Sequence, residues 1–202
     1  MLQLNHVTVT RGEREVLSDC TFQFQEGKAY VIVSEDADDH KAFLKCACRE
    51  KATRRGEIIT WDGSVIYNGV DDMYLPRFLT IREYLEDLVE VSEHLTTAGA
   101  LIKRLGIEEK ELGVTIGKSA EKTRAALRLA PVYATEPYVV ILGEPFPDDD
   151  LLCTFINEQK EDKVIITATT DLKKAGMIAS LTGGEVLSME SGDFKTILIG
   201  EI

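Results

Sequence analysis

Cations are in short supply in this chain of 202 residues: 23 Lys and Arg stand against 35 Asp and Glu, a formal net charge of -12. Phosphate contacts need clustered positive charge, so a broad nucleic-acid footprint is excluded. No stretch approaches the roughly 20 consecutive apolar residues that a membrane span requires. The opening MLQLNHVTVTRG lacks the basic start and apolar run of a signal peptide, so a cytoplasmic protein is expected. The four cysteines, Cys20, Cys46, Cys48 and Cys153, include no CxxC pair and have no histidine at zinc-site spacing. They are expected to be free thiols with no metal or redox role, Cys46 and Cys48 lying on different faces of one helix. Internal repeats and low-complexity segments are also missing.

What is present reads as one α/β domain, since 44% of the side chains are apolar, enough to bury a substantial core. LQLNHVTVT and TFQFQ alternate as half-buried strands do, while AYVIV, YVVIL and KVIITAT are the continuous apolar runs of strands buried on both faces. Between them, apolar residues recur at helical spacing from His40 to Arg49, and the polar, basic REKATRRGE that follows reads as a solvated turn. GEIITWDGSVIYNG is expected to be a hairpin turning on Asp62-Gly63. Residues 80–134 are expected to be helical. TIREYLEDLVEV opens on Thr80 with Glu83 three positions later, TAGALIKRLG stops at Gly106, and SAEKTRAALRLA makes a third helix. The tail, with Gly183-Gly184 and Gly192, is expected to return to short antiparallel strands. Apolar runs separated by helices imply a mostly parallel sheet with helices on its faces, and the alternating ends imply an added antiparallel layer.

VIVSEDADDHKAFLK, Val31 to Lys45, lies between an apolar strand and an amphipathic helix, where a phosphate-binding loop would stand, yet it has no glycine. It carries Glu35, Asp36, Asp38 and Asp39 instead. A like-charge pair at about 6 Å costs on the order of 3 kcal/mol at an effective dielectric of about 20, so several such acids oppose a bound triphosphate. A calcium loop of the EF-hand kind fails as well. Counted from Asp36, its sixth position is Lys41 rather than glycine and its twelfth is Ala47 rather than a carboxylate. The remaining reading is a solvated acidic helix N-terminus, favoured by the helix dipole.

The order of elements resembles the nucleotide-binding subunit of an ATP-binding cassette (ABC) transporter over nearly the whole chain. GEREVLSDCTFQFQEGKAYVIV and GEIITWDG resemble that family's opening strands and the hairpin after its first helix. PRFLTIREYL is similar to the start of its helical subdomain, ATEPYVVILGEPFPDDD to its Walker B strand and D-loop, and KVIITATTDLKKA to the strand and helix around its switch residue. The resemblance implies a single P-loop NTPase-like domain over residues 1–202, with a helical subdomain at about 80–134.

The chemistry of that family needs loop glycines that let backbone N–H groups approach the phosphates, a lysine reaching the β and γ groups, and a hydroxyl on Mg²⁺. Matched to this pattern, the glycines fall on Ser34, Ala37 and Asp39, the lysine on His40 and the hydroxyl on Lys41; a slip of one residue offers Lys41 as the phosphate lysine. The Mg²⁺-organising aspartate becomes Gly143, while Glu144 remains at the catalytic base and Asp150 at the D-loop aspartate. The glutamine of the metal-contacting loop falls on Val70 or Asp71, the adenine-stacking aromatic on Arg11 and the switch histidine on Thr170. No Gly-Gly pair stands near IGKSAEKTRAAL, where the family's signature would complete a partner's nucleotide site.

These matches imply a catalytically degenerate subunit, a pseudo-ATPase with no ATP, Mg²⁺ or other metal. Its expected partner is a membrane permease or a second ABC ATPase subunit, in a homo- or heterodimer, which would hold it peripherally at the inner face of the cell membrane. Two alternatives stand beside it. One is a working ATPase using Lys41 and Glu144; the other is a soluble regulatory module.

Overall fold

The computed structural model describes residues 1–60, 66–69, 75–92, 96–143, 146 and 148–201. In chain order the elements are β1 (Leu2–Arg11), β2 (Arg14–Phe24), β3 (Lys28–Val33), α1 (Ala37–Ala47), β4 (Arg55–Thr60), β5 (Ile66–Gly69), α2 (Ile81–Val91), α3 (Ala98–Arg104), α4 (Glu121–Thr135), β6 (Val139–Leu142), α5 (Asp149–Gln159), β7 (Val164–Thr169), α6 (Leu172–Thr182), β8 (Glu185–Ser188) and β9 (Lys195–Ile197), with short 3-10 turns between some of them. They divide into two compact units, one made of Met1–Asp71 with Pro137–Ile202 and the other of Asp72–Glu136.

The first unit holds a six-stranded sheet in the order β5-β6-β7-β3-β8-β9 and a three-stranded antiparallel sheet in the order β2-β1-β4. Every pairing in the larger sheet is parallel except β8 with β9. Every residue of β6 and of β7 is buried, as a sheet covered on both faces demands. Helix α6 packs on β3, β7 and β8, while α1 touches β1 and β2 on one side and β7 on the other. The core between the sheets is aromatic: Phe24 lies 5.0 Å from Tyr30, and Phe43 of α1 lies 5.1 Å from Phe194. This mixed architecture, a mostly parallel sheet with an antiparallel β layer, is the one that the apolar runs and alternating ends imply.

Two expectations are corrected. β4 and β5 do not form a hairpin: β4 joins β1 in the antiparallel sheet, whereas β5 joins β6 in the parallel one. Asp62-Gly63 lies outside the described residues. β5 can end against β6 because Gly69 has no side chain: a Cβ there would lie 2.9 Å from the Ile141 carbonyl oxygen. In the tail β8 and β9 pair antiparallel as expected, but Gly183-Gly184 does not join two antiparallel strands. Gly183 ends α6 in the left-handed conformation at φ 63°, and β8 runs parallel to β3.

The antiparallel sheet carries a strained fold in its middle. His6 and Asp19 both have positive φ, 52° and 54°, and the Nδ1 of His6 lies 2.9 Å from the Asp19 carboxylate. The bulge satisfies its own donors, since the His6 N–H donates to Thr21 Oγ1 and the Asp19 N–H to Thr8 Oγ1, each at 3.1 Å. β4 passes so close that a Cβ on Gly56 would sit 2.1 Å from the His6 carbonyl oxygen.

In the second unit Thr80 and Glu83 form the capping box that starts α2. Thr97 caps α3 through the Ala100 N–H at 3.2 Å, and Gly106 follows that helix at φ 64°. The Arg104 guanidinium lies 4.7 Å over the Tyr133 ring, tying α3 to α4.

Two glycine substitutions separate backbone strain from close approach. Gly12 and Gly56 both have left-handed φ, 59° and 72°, but only Gly56 has atoms within reach of an added Cβ. Gly12→Ala is expected to cost about 1–2 kcal/mol, the left-handed penalty alone. Gly56→Ala is expected to cost at least twice that in urea unfolding. Equal losses at the two positions would show that β4 moves away freely.

Candidate functional site

The acidic loop between β3 and α1 is built by its own side chains. Asp36 is the N-cap of α1, its carboxylate accepting the Asp38 N–H at 3.0 Å. Ser34 donates its hydroxyl hydrogen to the Asp36 carbonyl oxygen at 2.7 Å and sits 2.9 Å from His40 Nδ1. A hydroxyl has one hydrogen, so Ser34 accepts from His40, which places that imidazole proton on Nδ1. His40 is 2% exposed and points into the protein, bracing the loop from below. Lys41 is half-exposed on the same helix.

These acids are not merely solvated, which corrects the reading of an acidic helix start stabilised by the dipole alone. Arg11, at the end of β1, places its guanidinium against Asp36, 2.6 Å from Asp38 and 3.3 Å from Asp39. Arg14, at the start of β2, pairs with the other oxygen of Asp39. Asp39 is the buried member, its side chain 11% exposed, and it is the one that two arginines serve. The hydrogen bond from Arg11, with that from the Asp38 N–H next, holds the Asp36 carboxyl below the ordinary aspartate range, while Asp36 raises Arg11 in turn. Arg14 escaped the sequence reading. The signal was there in two cations flanking Gly12 at a hairpin tip, in a chain short of cations.

Beside this network lies a cleft of about 340 Å³ lined by Arg14, Glu15, Val16, Ser18, Asp39, Met189 and Gly192. Its polar groups already have partners. Ser18 donates to Glu15 at 2.8 Å, and Glu15 also meets Arg54 at 3.4 Å.

Elsewhere in the first unit the expected residues take structural parts. Gly143, just past β6, donates its N–H to the Gly69 carbonyl oxygen at 2.9 Å. Glu144 lies outside the described residues, as do Val70 and Asp71. Asp148 caps α5 by accepting the Leu151 N–H at 2.8 Å, Asp149 pairs with Lys174 at 2.7 Å, and Asp150 is exposed. Thr170 is exposed after β7, and the adjoining Thr169 and Asp171 organise the start of α6.

In the second unit α4 starts on Ala120, which supplies no side-chain cap, and Glu121 occupies its first turn. Ser119 turns its hydroxyl to the Ile116 carbonyl oxygen at 2.9 Å, and Thr123 bonds Glu111 at 2.8 Å. Ser119 and Thr123, in the stretch that matches the family's signature position, thus use their hydroxyls within the unit.

The thiols are structural. Burial pushes Cys20 and Cys48 up to about 12, leaving no nucleophilic thiolate near neutral pH. Among the described residues no group of three or more His, Cys, Asp or Glu could hold a metal ion, and no helix is long and apolar enough to cross a membrane.

No protein-family model and no curated protein matches the sequence. Solved structures match it over most of its length. A putative ABC transporter ATP-binding protein from Pyrococcus furiosus is 18% identical with a TM-score of 0.72, covering 84% of this chain and 91% of that one. A putative metal-chelate type ABC transporter in an inward-facing conformation is 12% identical with a TM-score of 0.77, covering 100% and 84%. An ATP-binding cassette solved as a dimer in a post-hydrolysis state, bound to ADP and Pi, is 15% identical with a TM-score of 0.71, covering 98% and 99%. The two-sheet core and the helical unit of this chain therefore have the fold of the ATP-binding subunits of ABC transporters.

Proposed function

We propose that this chain works as an ABC-type subunit without nucleotide chemistry, serving as an interaction or regulatory component of a transporter-like complex. The observation that carries this reading is the ion-pair network of Arg11 and Arg14 with Asp36, Asp38 and Asp39. In a phosphate site, the N-terminus of the helix after the loop offers its N–H groups to an external anion. Here Asp36 supplies that anion from within the chain, and Arg11 supplies the countercharge. A triphosphate would have to displace carboxylates that are already paired, beside a loop in which no residue from Ser34 to Asp39 is glycine. The start of α4 carries Glu121, whose negative charge opposes a phosphate there.

The fold supports the choice of partner. Neighbours of this fold include a putative metal-chelate type ABC transporter and a dimeric cassette, which favours a membrane permease or a second ABC ATPase subunit as the partner of this chain. Phe78 and Val91, 73% and 77% exposed in the helical unit, are apolar groups that such a partner could cover. That association would place the protein at the inner face of the cell membrane.

Binding and hydrolysis are tested separately. A true site at about 100 times its dissociation constant adds roughly 2.7 kcal/mol, and a chain of this size gains about 2–4 °C in Tm per kcal/mol. Saturating Mg-ATP is expected to shift Tm by less than about 1 °C relative to equal magnesium sulfate. An ATP-specific rise of several degrees that is lost in Lys41→Ala would establish the alternative of a nucleotide site built on Lys41. Hydrolysis by the purified protein is expected to equal that of Glu144→Gln, because a base accelerates attack only on a phosphate already positioned. A clear fall in rate in that variant would restore the enzymatic reading.

The partner is tested by affinity purification from detergent-solubilised membranes. A membrane protein or an ABC-like subunit is expected at stoichiometric level. Recovery of soluble, unrelated proteins alone would favour the regulatory module instead.

A further inference from the structure

We propose that residues 10–15, the tip of the β1–β2 hairpin, form a strap held over the cleft at the start of α1 by charge, and that it opens locally when its ion pairs are weakened. β1 pairs with β4 only as far as Thr8, opposite Arg55. Beyond that point it has β2 alone, with Thr10 facing Glu15 and Arg11 facing Arg14. A two-stranded ribbon is marginal by itself. Val9 and Val16, on either side of the tip, are buried at 0% and 5% exposure, whereas no residue from 10 to 15 is buried. The strap therefore has apolar anchors at both ends and none between.

What ties the tip down is polar throughout. Arg11 reaches Asp36, Asp38 and Asp39, and Arg14 reaches Asp39. Lys51 donates to the Thr10 carbonyl oxygen at 2.8 Å, and Arg54 meets Glu15 at 3.4 Å. The turn itself adds no packing, since no atom lies within 4 Å of a Cβ built on Gly12. Beneath the strap is the buried Asp39 carboxylate, and Arg14 and Asp39 both line the cleft whose apolar floor is Val16 and Met189. When the two arginines leave, Asp39 meets water and the cleft widens, while the sheets stay in place. This device is independent of whether the protein binds nucleotide.

Hydrogen exchange on the full chain tests the latch. Raising salt from about 0.05 to 1 M shortens the screening length to about 3 Å, comparable to the ion pairs themselves. Exchange of the amides of residues 10–15 is expected to accelerate about tenfold, with those of β3 and β7 unchanged, as local opening requires. Arg11→Gln/Arg14→Gln should exchange quickly at these positions already at low salt and respond no further. Salt-independent exchange of the tip in the unmodified protein would overturn the proposal. So would an acceleration shared equally by β3 and β7, because that reports global unfolding rather than a strap.

Discussion

Everything else in the first unit hangs on the packing of five rings, Phe22, Phe24, Tyr30, Phe43 and Phe194, between the two sheets. Phe22 and Phe24 come from the antiparallel sheet, Tyr30 from the centre of the parallel one, Phe43 from α1 and Phe194 from the approach to β9. Their edge-to-face contacts fix α1 between the sheets at a set height. That height decides which residues of the β1–β2 hairpin stand opposite the first turn of the helix. The Tyr30 hydroxyl remains satisfied inside this apolar cluster by accepting the Gln25 N–H at 2.8 Å. The polar arrangement at the loop is thus positioned by apolar contacts formed elsewhere.

Given that placement, electrostatics explains the loop. A buried carboxylate without a partner is costly, and Asp39 avoids that cost only because Arg11 and Arg14 arrive from the hairpin. His40 and Ser34 fix the loop from the inner side, so its shape does not depend on a bound anion. The helix α1 therefore starts with the Asp38 and Asp39 N–H groups bonded to Asp36 and with Asp36, Asp38 and Asp39 paired to arginine. Surface ion pairs contribute little singly. A shared, buried acceptor makes this group act as a unit.

Much of the fold was legible because burial on two faces leaves an uninterrupted apolar run, and AYVIV, YVVIL and KVIITAT became β3, β6 and β7. The Thr80 and Glu83 pair marked the start of α2 through purely local chemistry. The hairpin at Asp62-Gly63 was misread because alternation tells that a segment is a strand, not which strand it pairs with. β4 and β5 find partners in different sheets, β1 and β6, far away in the chain. Gly183-Gly184 reads as part of a tail of antiparallel strands, although a glycine after an apolar helix serves equally as its cap. At the site, the four acids and the missing glycine could be read directly. Their partners could not, because Arg11–Asp36 and Arg14–Asp39 are each separated by 25 residues, and only the folded hairpin joins them.

The sharing of Asp39 between two arginines also shapes how this sequence can change. Replacing Asp39 with glycine, as a phosphate loop would need, removes the acid that Arg14 pairs with and deprives Arg11 of one of three. Replacing either arginine first removes countercharge from a buried carboxylate. Exchanging His40 for lysine puts an extended cation into a place that is 2% exposed and braced by Ser34. Each single step is destabilising until the others have been taken, since residues in one network do not act additively. In the landscape of possible sequences the loop sits in a local basin, and any route to a glycine-rich loop runs uphill at its first step.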